Sequence, residues 1–197
     1  MKNKIYFITS IIFAAALSRL LPHPWNFTPM VGITLASAVF VNHKKFSFVL
    51  PLITWLITDL IVNGLLYPQN GGVLSYFTSF TALGVYTSMM MIWGLGLILK
   101  NQVKIPIIIA TSLSSSMIFY LISNSFVFIG NPYYTQNFSG WFQCMYMGIP
   151  FYQSEYGALF GSFMLNGIMG DLFYTSVLFG LYYFVNGKSF NKVESRA

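Results

Sequence analysis

Six apolar runs, at roughly 5 to 21, 29 to 42, 46 to 66, 74 to 99, 105 to 129 and 156 to 185, follow one another with only short polar breaks. Such runs leave little choice of fold. In a bilayer a segment must satisfy its own backbone N–H and C=O groups, so it crosses as a helix, and about 20 apolar residues are needed. Charged residues make up 7% of the chain and hydrophobic ones 56%. A soluble domain carries roughly 25% charged residues, so there is too little charge here to cover a water-facing surface. The pattern predicts an all-α integral membrane protein, one transmembrane domain over 1–197, built as a six-transmembrane-helix bundle. No room is left for a separate soluble domain.

The breaks carry readable stops. Pro22 and Pro24 end the first run, Thr28-Pro29 opens the second as a cap followed by a tolerated proline, and Asn42 to Lys45 closes it. Tyr67-Pro-Gln-Asn-Gly-Gly72 reads as a turn, and Lys100 to Lys104 followed by Pro106 separates the fourth run from the fifth. The run from 29 to 42 is short enough to be re-entrant. Charge decides in favour of crossing. With six crossings and both termini inside, Lys2, Lys4, Lys44, Lys45, Lys100, Lys104, Lys188, Lys192 and Arg196 are all cytoplasmic, and Arg19 alone lies toward the far side. If the second run fails to cross, seven of those basic residues land outside. An alternative reading of the start is a cleaved signal peptide, from Lys2 and Lys4 ahead of an apolar stretch with Ala14-Ala15-Ala16. The small residues Ser10, Ala14 and Ser18, four apart, also offer a stripe for close helix packing.

Lys and Arg number 10 against 4 Asp and Glu. In so apolar a chain that excess speaks for membrane orientation, and nucleic acid is set aside as a partner. One cysteine, Cys144, offers neither a disulfide nor metal-ligand spacing. Only His23 and His43 exist, and no H-E-x-x-H, G-x-S-x-G or P-loop pattern occurs. The chain is therefore read as not an enzyme, with no metal and no cofactor. Two carboxylates could act as a dyad only if they met within a few Å.

Those carboxylates, Asp59 and Asp171, fall near the middle of the third and sixth runs, where a charge is costly and should not face lipid. Asn63 shares the Asp59 face, Gly167 and Tyr174 share that of Asp171, and Asn124 sits in the outer half of the fifth run. Arg19, His23 and Asn26 lie at the outer end of the first run and in the loop after it. The deduced orientation places all of these on the outer side of the midplane and predicts one polar cavity open to the outside. The bland alternative is helix-locking pairs, such as Arg19 with either Asp. Aromatic residues gather between Asn131 and Tyr152, a loop before the last helix that is too short to span beyond Gly140. This segment is read either as an interfacial aromatic belt or as cover for a ligand, with Trp25 and Trp141 as candidate cover. Gly157 and Gly161 and the serines from 112 to 116 read as packing signals, and Met89-Met-Met91 as gap filling.

At Arg19-Leu-Leu-Pro-His-Pro-Trp-Asn-Phe-Thr-Pro29 the chain resembles an uncharacterised family of small bacterial membrane proteins, grouped as a domain of unknown function. The likeness continues at Thr58-Asp-Leu60, Ser123-Asn124, Gly148-Ile-Pro-Phe151 and Gly170-Asp-Leu-Phe-Tyr174. More distantly, its size and long first outer connection resemble the S components of energy-coupling-factor vitamin transporters. That resemblance implies a bacterial plasma membrane location, a vitamin-like small-molecule ligand, and a transmembrane coupling subunit with ATPases meeting the first helix. The residues then expected to bind substrate are Arg19 for an anionic group, Asp59 and Asp171 for a cationic or donor group, and His23, Asn26, Asn63 and Asn124 around them. The expected function is a membrane-embedded uptake component. Its alternatives are a noncatalytic scaffold and a stand-alone proton- or cation-coupled carrier.

Overall fold

A computed structural model describes residues 2–66, 72–149 and 154–185, and among them every regular element is helical. The elements are α1 (Lys2–Ser18), α2 (Met30–Phe40), α3 (Lys44–Ile61) extended by a π-helical turn (Val62–Leu66), α4 (Gly72–Phe77), α5 (Phe80–Leu99), α6 (Ile105–Phe128), α7 (Phe138–Met147) and α8 (Phe163–Val185). Four helices are long and apolar enough to cross a membrane: Lys44–Leu65, α5, α6 and α8. Helices α1 and α2 are apolar but shorter.

The bundle is built around α2. Every residue from Met30 to Val39 is buried, as expected for a helix that is apolar all round, and α2 touches α1, α3, α5, α6 and α8. Small residues allow this crowding. A Cβ on Gly32 would lie 2.9 Å from the Thr175 backbone nitrogen of α8, and one on Gly96 of α5 would lie 2.5 Å from the Ala38 Cβ. Ser37 donates to the Ser47 carbonyl of α3 at 2.8 Å. The carbonyl of Val41, the C-cap of α2, is met by a cation, Lys100 Nζ at 3.3 Å, which suits the negative end of a helix. Lys44, Lys45 and Lys104 adjoin Val41 and Lys100 in the chain, so these four lysines mark one end of the bundle.

Outside and inside are reversed relative to a water-soluble bundle. On α3 the buried face is Ser47, Pro51, Thr54, Trp55, Thr58 and Asp59, while Val49, Ile53, Leu56, Ile57 and Leu60 are exposed. Asp59, Ser88, Ser112, Ser115 and Asn166 are fully buried. An apolar exterior around a partly polar interior suits hydrocarbon as the surrounding medium.

Three boundaries differ from the sequence reading. The fourth run divides in two because Ser79 accepts from the Ala82 N–H at 3.1 Å and caps α5, leaving α4 as a separate short helix. The last helix starts at Phe163, not 156, because Gly157 takes a positive φ of 98° and the chain turns there before Ser162. Gly157 and Gly161 are thus not a helical packing pair. Helix α2 has 11 residues, about 16 Å of helix against a hydrocarbon core of about 30 Å. The loop ahead of it continues the packing: Phe27 and Thr28 rest on Gly170, where a Cβ would meet them at 3.0 Å, seven residues or about 10 Å along α8. The turn expected at 67–72 lies mostly outside the described residues, as do Pro150 and Phe151 and the basic residues beyond 185.

Candidate functional site

The costly polar residues form two neighbouring groups that share one tryptophan. The first is an ion pair between α1 and α3. Arg19, just past the end of α1, places Nη1 2.6 Å from Asp59 Oδ1 and donates to Thr58 Oγ1 at 2.8 Å. The other carboxylate oxygen, Oδ2, accepts from Trp55 Nε1 at 2.6 Å and from the Tyr76 hydroxyl at 3.0 Å. The guanidinium also stands over the Trp55 ring, 5.0 Å from its centroid, a favourable cation–aromatic position. The Tyr86 hydroxyl is buried without a well-aligned hydrogen bond, yet lies within electrostatic range of both charges. The helix loosens into its π turn directly after Asp59, and Asn63 Nδ2 covers the Asp59 carbonyl at 3.1 Å. Both charges are therefore compensated within the protein.

The second group lines a cleft among α2, α3, α6 and α8, walled by Trp55, Phe119, Tyr120, Asn124, Ser116 and Asp171 and closed at its mouth by Asn26. Its volume of about 30 Å³ holds about two water molecules. Asp171 is 6% exposed and accepts one hydrogen bond, from Ser116 Oγ at 2.7 Å. Among the described residues the Arg19–Asp59 pair is the one ion pair, so Asp171 has no basic partner there. The Asp carboxylates sit in different groups and do not form a dyad. Below Asp171 the polar contacts continue from Ser112 Oγ to Thr175 Oγ1 at 3.4 Å and then stop at buried Ile108, Leu178 and Phe179. No cluster of three metal-ligating side chains occurs among the described residues.

The other expected site residues hold the loops around the cleft. His23 lies between the Pro24 carbonyl at 2.8 Å and the Arg19 carbonyl at 3.2 Å and so shapes its own loop. Asn26 takes a left-handed φ of 64° and donates to Phe163 O at 3.0 Å, resting on Gly167, where a Cβ would meet its side chain at 2.6 Å. Trp25 is exposed, and its carbonyl accepts from Asn166. Trp141 stacks on Phe138 and donates to Ser125 Oγ at 2.9 Å, fastening α7 to the C-terminal part of α6. Tyr120 OH donates to Met145 O beside it. Neither Trp25 nor Trp141 lines the cleft; Trp55 does.

Sequence reasoning missed Trp55, Ser116, Tyr76 and Asn166. Trp55 had a signal, since it precedes Asp59 by four residues and shares its helix face. Asn166 had one too, as an amide in an apolar run. Ser116 and Tyr76 had none, because their partners lie 55 and 17 residues away.

Cys144 is 2% exposed on α7, its Sγ facing Asn124 O at 3.5 Å, and burial pushes its thiol above the usual range. Because the thiolate is the reactive form, N-ethylmaleimide is expected to label the folded protein on the order of tenfold more slowly than the denatured one. Intact-mass time courses check this, and equal rates would show that α7 does not pack its thiol against α6.

Fold and site together define an all-helical protein with four helices suited to crossing a membrane, carrying a buried ion pair beside a carboxylate-lined cleft. The chain belongs to the family of unknown function DUF6580, which it matches over residues 1–193. No curated protein and no solved structure matches it.

Proposed function

We propose that this chain is a multi-pass membrane protein that binds a small solute in the Asp171 cleft, as the substrate-binding component of an uptake system. One observation carries the reading: a buried carboxylate without a basic partner among the described residues lines a cavity. A buried carboxyl without a basic partner is expensive to ionise unless something meets it. The cavity is small as it stands, but Met30, Met89, Met117 and Met164 are among its walls, and flexible thioethers let a wall reshape around a guest. Entry then requires movement of the 22–29 loop or of α7, both of which stand over the α8 and α6 ends of the cleft.

The six-crossing, N-in and C-in arrangement belongs to this proposal. Four lysines at one end of the bundle, with Arg19 held toward the other, support it under the positive-inside rule. So does the loop before α2, which lets a short helix complete a passage. A bacterial plasma membrane is the proposed location. Ser10 and Ala14 face outward on α1, leaving a small-residue face for a coupling subunit.

The test is purification in native lipid, followed by mass spectrometry of small molecules released on denaturation. One solute is expected with the wild type and none with Asp171→Asn. If nothing is released, and vitamins and their precursors leave the melting temperature unchanged, the proposal is wrong. A scaffold role is the second reading, favoured by the charge-compensated Arg19–Asp59 group; it predicts partner loss on Asp59→Asn with solute uptake unchanged.

A further inference from the structure

We infer that the Asp171 cleft selects a positively charged, donor-rich solute, a protonated amine, and excludes carboxylates and other anions. This inference rests on the solute-binding reading and assigns its ligand class. It follows from counting which hydrogen-bonding atoms remain for a guest.

Most donors on the wall are already turned to protein acceptors. Asn26 Nδ2 faces Phe163 O at 3.0 Å, Asn124 Nδ2 faces Tyr120 O at 2.8 Å, and the Ser123 hydroxyl faces Phe119 O at 2.6 Å. Tyr120 OH is committed to Met145 O, and Trp55 Nε1 to Asp59 at 2.6 Å. Ser116 has one hydroxyl hydrogen and two acceptors before it, Asp171 Oδ2 at 2.7 Å and Ser112 O at 3.1 Å. Three donors are seen in no such bond: the Thr28 hydroxyl and the second amide N–H of Asn26 and of Asn124. Acceptor capacity outnumbers them: the Asp171 carboxyl, two amide oxygens and hydroxyl lone pairs.

Charge points the same way. The arginine expected to receive an anion is consumed by Asp59 and does not line the cleft. An anionic guest would therefore meet the Asp171 carboxyl with no cation beside it. An ammonium group has three donors and a positive charge for Asp171. The aromatic wall of Trp55, Phe119 and Tyr120 adds faces that attract cations, and Arg19 already uses the Trp55 ring in that way.

The experiment compares benzylammonium with its neutral and anionic counterparts, benzyl alcohol and benzoate, on the full chain in nanodiscs by isothermal titration. Wild type is expected to bind benzylammonium roughly 30-fold more tightly than benzyl alcohol, with no detectable benzoate binding, and Asp171→Asn to lose a comparable factor. If Asp171→Asn fails to fold, the comparison among the three probes on wild type still decides. Benzyl alcohol or benzoate binding as tightly overturns the charge assignment. So does stabilisation by sodium or potassium ions with no benzylammonium binding. A neutral or anionic solute released from the native protein sinks this inference while leaving the solute-binding reading intact; absence of every ligand removes both.

Discussion

Asp59→Ala is expected to destabilise the protein by about 3 to 5 kcal/mol, the range for breaking a buried ion pair from one side. Its carboxylate is fully buried and the Arg19 side chain is 13% exposed, so the orphaned guanidinium cannot rehydrate in place. Trp55 Nε1 and the Tyr76 hydroxyl lose their acceptor in the same step, and each buried donor left unmade costs a further 1 to 3 kcal/mol or so. Arg19→Met combined with Asp59→Asn is expected to recover at least about half of the loss, because no charge is then stranded and the amide oxygen still accepts from Trp55. Denaturant unfolding in mixed micelles measures both. A cost below about 1 kcal/mol for Asp59→Ala would place the pair among weak, solvent-screened bridges and contradict its burial. Raising the salt concentration is expected to change little, since buried pairs are poorly screened.

The second large effect is at the glycines against α2. An alanine at Gly96 would put its Cβ 2.5 Å from the Ala38 Cβ, and one at Gly32 would sit 2.9 and 3.0 Å from backbone atoms of Thr175 and Tyr174. Neither neighbour has a flexible end that can swing aside, so the helices themselves must separate. Each Gly→Ala change is expected to cost about 1 to 3 kcal/mol, as overpacking does, and Gly→Val more. Gly94 is the control. Nothing lies within 4 Å of a Cβ there, so Gly94→Ala is expected to gain up to about 1 kcal/mol from helix propensity. Melting temperatures in detergent separate the two classes. Equal behaviour at positions 32, 94 and 96 would mean that α2 is not held by close approach.

Much of the architecture is legible in the chain because a bilayer removes alternatives. The fifth run, read at 105 to 129, is α6 at Ile105–Phe128 almost to the residue, stopped at its start by Lys104 and Pro106. Where local chemistry competed with apolarity the boundaries moved. Ser79 is one hydroxyl in an apolar stretch, yet its cap divides the run, and Gly157 turns the chain because a left-handed residue cannot continue a helix. The proline-rich loop from Pro22 to Pro29 carries a distinctive residue order, but its use is tertiary. Asn26, Phe27 and Thr28 seat on Gly167 and Gly170, a contact between segments some 140 positions apart in the chain.

The candidate site shows the same division. Asp59 and Asp171 stand out in the sequence because charge within an apolar run is costly anywhere in a bilayer. That cost is a property of the residue and its span, so one chain read alone identifies both and predicts that neither faces lipid. It also determines the helical class, since no other open structure satisfies its backbone in hydrocarbon. Which carboxylate is neutralised is decided only by packing. Arg19 reaches Asp59 because α1 ends beside α3, with Thr58, Trp55 and Tyr76 completing the shell, while Asp171 on α8 receives a serine hydroxyl and a cavity. A Coulomb partner is set by distances of a few Å between helices, and those distances arise from how glycines and short side chains let α2 draw its neighbours together.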